Sequence, residues 1–326
     1  MKFFCMDVHI SVIEDFKTNC PYVEVVDVCM SGHSWVMNKQ CAGFADINPN
    51  NWRDLSLSRI ESFQKTHDSF LRSFDGFIVC HAAAFLLIYE KYGKPILMIN
   101  SCRYDLPYNQ TGNIQMIRVL NDSIRRMTEK RQLTIVSNNK ADQLYTLRGT
   151  GVFPQWIPSL CAYTHIEYKP TRNTFLCYTG QIPAHPLLEK RPNRFEWKDL
   201  GTYKGIVHFP YEISTMSMFE HFTAGLPLFF PSKAFWKQNP SIQSISAYWG
   251  ERLPPHLSDM KDPSTWIELS DIYHVFQSPN TYYFDSFPHL FELLESFVYV
   301  DDRELRQKHK DDIQSKWREV LSKYVL

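Results

Sequence analysis

The sequence predicts an α/β protein of two Rossmann-like domains, each a mostly parallel sheet covered on both faces by helices. Three observations carry that prediction. Apolar runs of strand length alternate with helical stretches from Lys2 to Pro158, the pattern of a doubly wound sheet. A polar, Pro-containing stretch, Ala162 to Asn173, interrupts the alternation and reads as a linker, after which it resumes at Thr174. A chain of 326 residues is also long enough for two cores of ordinary size. We place the domains at 1–165 and 166–300, with a closing helical segment at 301–326.

In the first half, strands are expected at Lys2 to Met6, Val23 to Cys29, Gly76 to Cys80, Pro95 to Asn100, Leu133 to Ser137 and Pro154 to Pro158. Helices are expected between them, at Ile10 to Lys17, Ser58 to Phe74, Ala82 to Tyr92, Asn113 to Lys130 and Lys140 to Arg148, from their apolar spacing. Polar residues stand where these strands stop. Asp7 and His9 follow the first strand, His33 the second, His81 the third, and Arg103 and Asp105 the fourth. Open α/β sheets bind ligands at such carboxyl ends.

The second half opens with a strand at Thr174 to Tyr178, closing on Thr179-Gly180. Its central stretch is Gly205 to Ser232, with strands at Gly205 to Phe209 and Pro227 to Phe230 around a helix at Ser214 to Ala224. Ser214 is the expected N-cap, and Ser214 and Thr215 lie at the positive end of the helix, where an anion can bind. Glu212 stands ahead of the helix and Glu220 about two turns inside it. A carboxylate between Phe219 and Phe222 is costly unless it has something to bind. The plain alternative is a strand, helix and strand with two incidental glutamates. Farther on, Trp266 to Leu269 reads as a strand, and Phe287 to Tyr299 and Asp301 to Tyr324 as helices.

Lys plus Arg and Asp plus Glu both number 35, so no net field draws the chain to nucleic acid or an anionic membrane. The eight cysteines show no C-x-x-C spacing and read as reduced, buried thiols. No apolar run is long enough to span a bilayer and no signal-peptide pattern opens the sequence, which points to a cytoplasmic protein. Asp-x-Asp is absent, as is any spaced His or Cys cluster suited to zinc, so no metal site is expected. Aromatic residues make up 15% of the chain and suit cores and sugar-stacking clefts alike.

The spacing of Glu212 and Glu220 is that of the Glu-x7-Glu motif. The run Glu220-His221-Phe222-Thr223-Ala224-Gly225-Leu226-Pro227 resembles the Glu-Ala-Met-Ala-x-Gly-x-Pro segment of GT-B-fold glycosyltransferases, in particular those similar to glycosyltransferase family 4. That family includes enzymes of large DNA viruses and of bacterial surface-polysaccharide pathways. The resemblance implies two Rossmann-like domains facing each other across a cleft, with a final helix crossing back to the first domain. It implies metal-independent, retaining transfer of a hexosyl or pentosyl group from a UDP-, GDP- or dTDP-sugar to a glycan or other hydroxyl acceptor, with no further cofactor.

By the same resemblance, Glu220 holds the ribose hydroxyls and Glu212 faces the donor sugar. Gly180 lets backbone approach the phosphates, and Lys190 and Arg191 pair with them, as Ser214 and Thr215 do from the helix end. His81 matches the strand-end His that retaining members place near the donor sugar. Asp7 and His9 instead match the acceptor base of inverting members, an imidazole near its ordinary pKa being suited to that work. Arg103, Asp105 and His33 fall to the acceptor. The sequence departs from the common form at Ile213-Ser214-Thr215, where Gly-Phe-Gly is usual, and at Gln181, where Arg is usual. A nucleotide-sugar 2-epimerase of the same fold and a non-catalytic sugar-binding protein remain alternatives. A phosphorylase would need a pyridoxal-bearing Lys, for which the sequence has no local signature.

Overall fold

The structure is a computed structural model describing residues 1–178, 182–193, 195–239, 260 and 262–324. The chain divides into two compact units. The first holds Met1–Pro158, Met260 and the chain's end from Ser315, and the second holds the other described residues after Pro158.

The first unit is built on six strands: β1 (Lys2–Asp7), β2 (Glu24–Cys29), β3 (Gly76–Cys80), β4 (Ile96–Asn100), β5 (Leu133–Ser137) and β6 (Gln155–Trp156). They lie in the order β2-β1-β3-β4-β5-β6, every pair parallel. β3 and β4 are buried at every residue, as continuous apolar runs are when helices cover both faces. Only glycine fits at position 76, where a Cβ would lie 2.6 Å from the Phe3 ring and 2.8 Å from the Pro95 carbonyl. The helices form where polar caps meet amphipathic runs. Asn113 accepts from Met116 N at the start of Ile114–Glu129, whose buried stripe includes Met116, Leu120, Ile124 and Met127. The chain runs from β1 to β2 on one side and then crosses to β3 on the other. The carboxyl ends of β1 and β3 therefore flank the crevice where such sheets bind ligands.

The second unit repeats the plan with five parallel strands: β7 (Phe175–Cys177), β8 (Leu188–Lys190), β9 (Ile206–Val207), β10 (Leu228–Pro231) and β11 (Thr281–Phe284). Their order is β11-β10-β9-β7-β8, so the corresponding crevice lies at the carboxyl ends of β7 and β9. The helix after β9 spans Met216–Thr223, with Thr215 at the cap position and no side-chain cap bond. Its cap lies one residue later than the expected Ser214. Trp266 to Leu269, expected as a strand, is overturned: Asp262 caps a helix at Pro263–Glu268, and Pro263 in its first turn leaves no helical bond broken. β8 and β11 were not expected, and both are short edge strands with half-exposed residues.

The last helix, Arg303–Ser322, starts in the second unit, and its residues from Ser315 on belong to the first. There Trp317 meets Phe16 edge to face with ring centres 5.2 Å apart, and Tyr324 meets Phe3 at 6.0 Å. Among the described residues, no helix is long and apolar enough to cross a membrane.

Candidate functional site

The carboxyl ends of β1 and β3 bring Asp7, His9 and His81 together. Asp7 is fully buried, and its Oδ1 accepts from His9 N at 2.7 Å. Burial is the main force on its carboxyl, pushing the pKa up to about 7 against the opposing pull of the His9 N–H, and the neighbouring Asp27 pushes the same way. The Cys29 thiol lies beside the same carboxyl, which helps lift that thiol to about 11, burial being the larger cause. His9 is held near 4 by burial and then by His33, so its imidazole is neutral at physiological pH.

The His81 ring lies 4.9 Å from that of His9, and its Nδ1 is 3.1 Å from Ser101 Oγ. Burial, then His9, Arg103 and Arg53, keep His81 neutral too. His81 has φ +68, a left-handed conformation that costs a non-glycine residue and collects at functional sites. Two bonds hold it there, from His81 N to Ile99 O at 3.2 Å and from the Cys102 thiol to His81 O at 3.2 Å.

The other residues expected on this side divide. Arg103 is buried with its Nη1 3.7 Å from Asp142 Oδ1, and its charge reaches His81. Asp105 is fully buried and is engaged on both oxygens, by Asn109 Nδ2 and by Tyr145 OH, each at 2.9 Å. Burial lifts its pKa to about 7. It braces the core of the unit instead of presenting a free carboxylate. His33 is exposed at the start of the turn Ser34–Met37, close enough to His9 to affect its charge.

In the second unit, Tyr178 follows β7, His208 follows β9, and Glu220 and His221 come from the helix Met216–Thr223. Glu220 is 8% exposed, and its Oε1 accepts from Tyr163 OH at 2.6 Å. His208 Nε2 and His221 Nδ1 lie 2.9 Å apart, both buried, with the Tyr178 ring 5.3 and 5.1 Å from the two imidazoles. Burial lowers His208 to about 3, and burial followed by the His208 and Arg191 charges lowers His221. The Arg191 guanidinium lies 4.4 Å from the centre of the Tyr178 ring, a cation–π contact at the mouth of β7. Burial raises the Tyr178 hydroxyl, Arg191 opposing and Glu220 adding to the rise.

Glu220 and Arg191 thus border one tyrosine, whereas Lys190 is exposed at the end of β8. Glu212 is half-buried, its Oε1 accepting from Ile213 N at 2.9 Å. Ser214 is half-buried ahead of the helix, and the Thr215 hydroxyl pairs with Ser217 Oγ at 3.0 Å. Gly180 and Gln181 lie outside the described residues. Tyr163, Tyr178, His208 and His221 carried no role in the sequence reading. His208 had a signal, since an imidazole between Val207 and Phe209 in an apolar strand demands a partner just as Glu220 does.

No protein-family model matches the chain, and no curated protein sequence matches it. Among solved structures it is similar to CalG4, the calicheamicin glycosyltransferase, at 11% identity and a TM-score of 0.39, covering 99% of this chain and 98% of that one. It is similar to the glycosyltransferase SnogD from Streptomyces nogalater at 9% identity and a TM-score of 0.43, covering 99% and 98%. A third is the spinosyn forosaminyltransferase SpnP, at 8% identity and a TM-score of 0.40, covering 90% and 99%. At that likeness they assign no role to any residue here.

Proposed function

We propose that this chain is a glycosyltransferase of GT-B type, its second unit seating a nucleoside-diphosphate sugar and its first supplying acid–base groups for the acceptor hydroxyl. The observation that carries the reading is Glu220, a buried carboxylate in an otherwise apolar helix, held by a phenol at the carboxyl edge of a doubly wound sheet. It stands in the run that resembles the donor-binding segment of that family.

In this reading Glu220 accepts from the ribose hydroxyls, and Glu212 addresses the donor sugar. The diphosphate sits at the start of Met216–Thr223, the positive end of the helix dipole, near the Ser214 and Thr215 hydroxyls. Arg191 supplies the fixed positive charge, joined by Lys190, and Gly180 the close backbone approach. These groups stabilise the charge that grows on the leaving diphosphate without a metal ion. His33 and Arg103 are the acceptor-side residues of the first unit.

Retention follows from the Glu-x7-Glu resemblance and gives His81 its place near the donor sugar. Inversion is a second reading, favoured by Asp7, whose pKa near 7 suits a base that takes the acceptor proton as its oxygen attacks. The anomeric configuration of the first-formed product, read by NMR, separates the two.

Calorimetric titration with UDP, GDP and dTDP tests the donor half. Binding of one of them, weakened roughly tenfold to a hundredfold in Glu220→Ala, is expected from the loss of a charged acceptor. Absence of binding by all three would overturn the reading.

A further inference from the structure

The segment Ser159 to Tyr163, which runs into the start of the stretch read in the sequence as a linker, lies along the helix that carries Glu220. Ser159 Oγ reaches Met216 Sδ at 3.7 Å, Thr223 Oγ1 donates to Leu160 O, and Tyr163 OH donates to Glu220 Oε1 at 2.6 Å. Both ends of the helix and its functional carboxylate are therefore tied to one strap. Tyr163 is itself held firmly. It is 8% exposed, its ring centre is 5.6 Å from that of Trp197, and it sits in the turn Ala162–Thr164. Cys161 with φ +55 and His165 with φ +51 flank that turn, two left-handed non-glycine residues that persist only where surrounding structure over-determines them.

We propose that Tyr163 is a positioning residue that orients the Glu220 carboxylate so that the site selects ribonucleotides over 2′-deoxyribonucleotides. The inference rests on the reading of Glu220 as the ribose acceptor. A glutamate has three rotatable bonds, and an unheld one must be ordered when ligand arrives, at a cost in affinity. A short phenol-to-carboxylate bond fixes the head group beforehand. An ionised carboxylate offers about four acceptor positions, and the phenol takes one of them on Oε1. A 2′-deoxy ligand brings one hydroxyl fewer to that carboxylate and leaves a buried acceptor unmet, a costly outcome.

The test compares affinities for UDP and 2′-deoxy-UDP, and for the guanosine pair, in the full-length protein. In the wild type the ribonucleotide is expected to bind at least about fivefold tighter. Tyr163→Phe, which keeps the ring, is expected to bring that ratio close to one. Thr223→Val cuts the strap away from the carboxylate and is expected to lower the melting temperature but keep the ratio. Tyr163→His retains a ring donor and is expected to give a ratio above that of Tyr163→Phe.

A ratio unchanged in Tyr163→Phe overturns the inference and leaves the donor reading intact. So does a Tyr163→His ratio no higher than that of Tyr163→Phe. A wild type that binds none of the nucleotides overturns both.

Discussion

His208 and His221 share one hydrogen bond of 2.9 Å, Nε2 to Nδ1, inside the second unit and out of reach of water. One imidazole donates and the other accepts, so the bond needs a neutral acceptor ring, and burial disfavours a charge on either. Both pKa values are depressed in the fold, His208 to about 3. The stabilisation is complete above the unfolded value of about 6.5 and is lost as pH falls toward the folded values. The wild type should therefore lose stability relative to the double variant His208→Phe, His221→Leu as pH falls from 6.5 to 4. The limiting slope is about 1.4 kcal/mol per pH unit for each histidine. Chemical denaturation across that range reads the difference, and parallel curves for the two proteins would show that the pair does not titrate.

Asp7 carries the opposite sign. Its folded pKa of about 7 lies above the unfolded value, so its contribution to stability is present below pH 4 and is lost as pH rises through 7. Asp7→Asn should raise the melting temperature at pH 8 relative to wild type. If Asp7 is the acceptor base, the same variant should lose roughly 10²- to 10⁴-fold in kcat, together with the rise of activity through pH 7. Nucleotide affinity should be unchanged, because the donor residues belong to the second unit. A variant retaining full activity would remove Asp7 from the chemistry.

Gly225 ends the helix that bears Glu220, with φ +74, and an added Cβ would lie 2.4 Å from Arg306 Cζ. Arg306 is fixed in turn, Nε to Asp302 Oδ1 at 2.8 Å and Nη1 to Thr223 O at 3.4 Å, placing a cation over the helix's last carbonyls. Gly225→Ala should cost at least about 1 kcal/mol from the left-handed backbone alone. Adding Arg306→Ala should relieve the clash but not that backbone term, so the double variant stays less stable than Arg306→Ala. Equal melting curves for those two proteins would contradict the backbone account.

Charge neutralisation by Arg191 and a helix start predicts that transfer persists in excess EDTA. Arg191→Ala should weaken diphosphate binding and leave nucleoside binding unchanged. Activity lost to chelator and restored by manganese would point to a different mechanism.

Much of this architecture is legible in one dimension. β1, β3, β4, β5, β7 and β10 carry mostly apolar runs, with polar residues mainly at their ends, because a strand covered on both faces must be largely apolar. The helices declare themselves by 3.6-residue spacing and polar caps, and Asp7, His9 and His81 stand out because they directly follow such strands. Glu220 was legible for the complementary reason, as a charge whose burial demands a partner. Where local signals were thin the reading failed. β8 and β11 are half-exposed edge strands with no continuous apolar run, and Trp266 and Ile267 are buried from a helix that Asp262 and Pro263 start.

Tertiary structure alone decided which residues meet. Strand order, and hence the choice of the β1–β3 and β7–β9 crevices, depends on crossovers that leave no trace in local periodicity. Asp105 and Tyr145 are 40 residues apart, and Tyr163 and Glu220 are 57 apart. Composition showed that such buried polar groups need partners, because an unmet one costs about 1–3 kcal/mol. It could not name those partners, because a hydrogen bond is specified by distance and direction in the folded chain, and neither is encoded along the sequence.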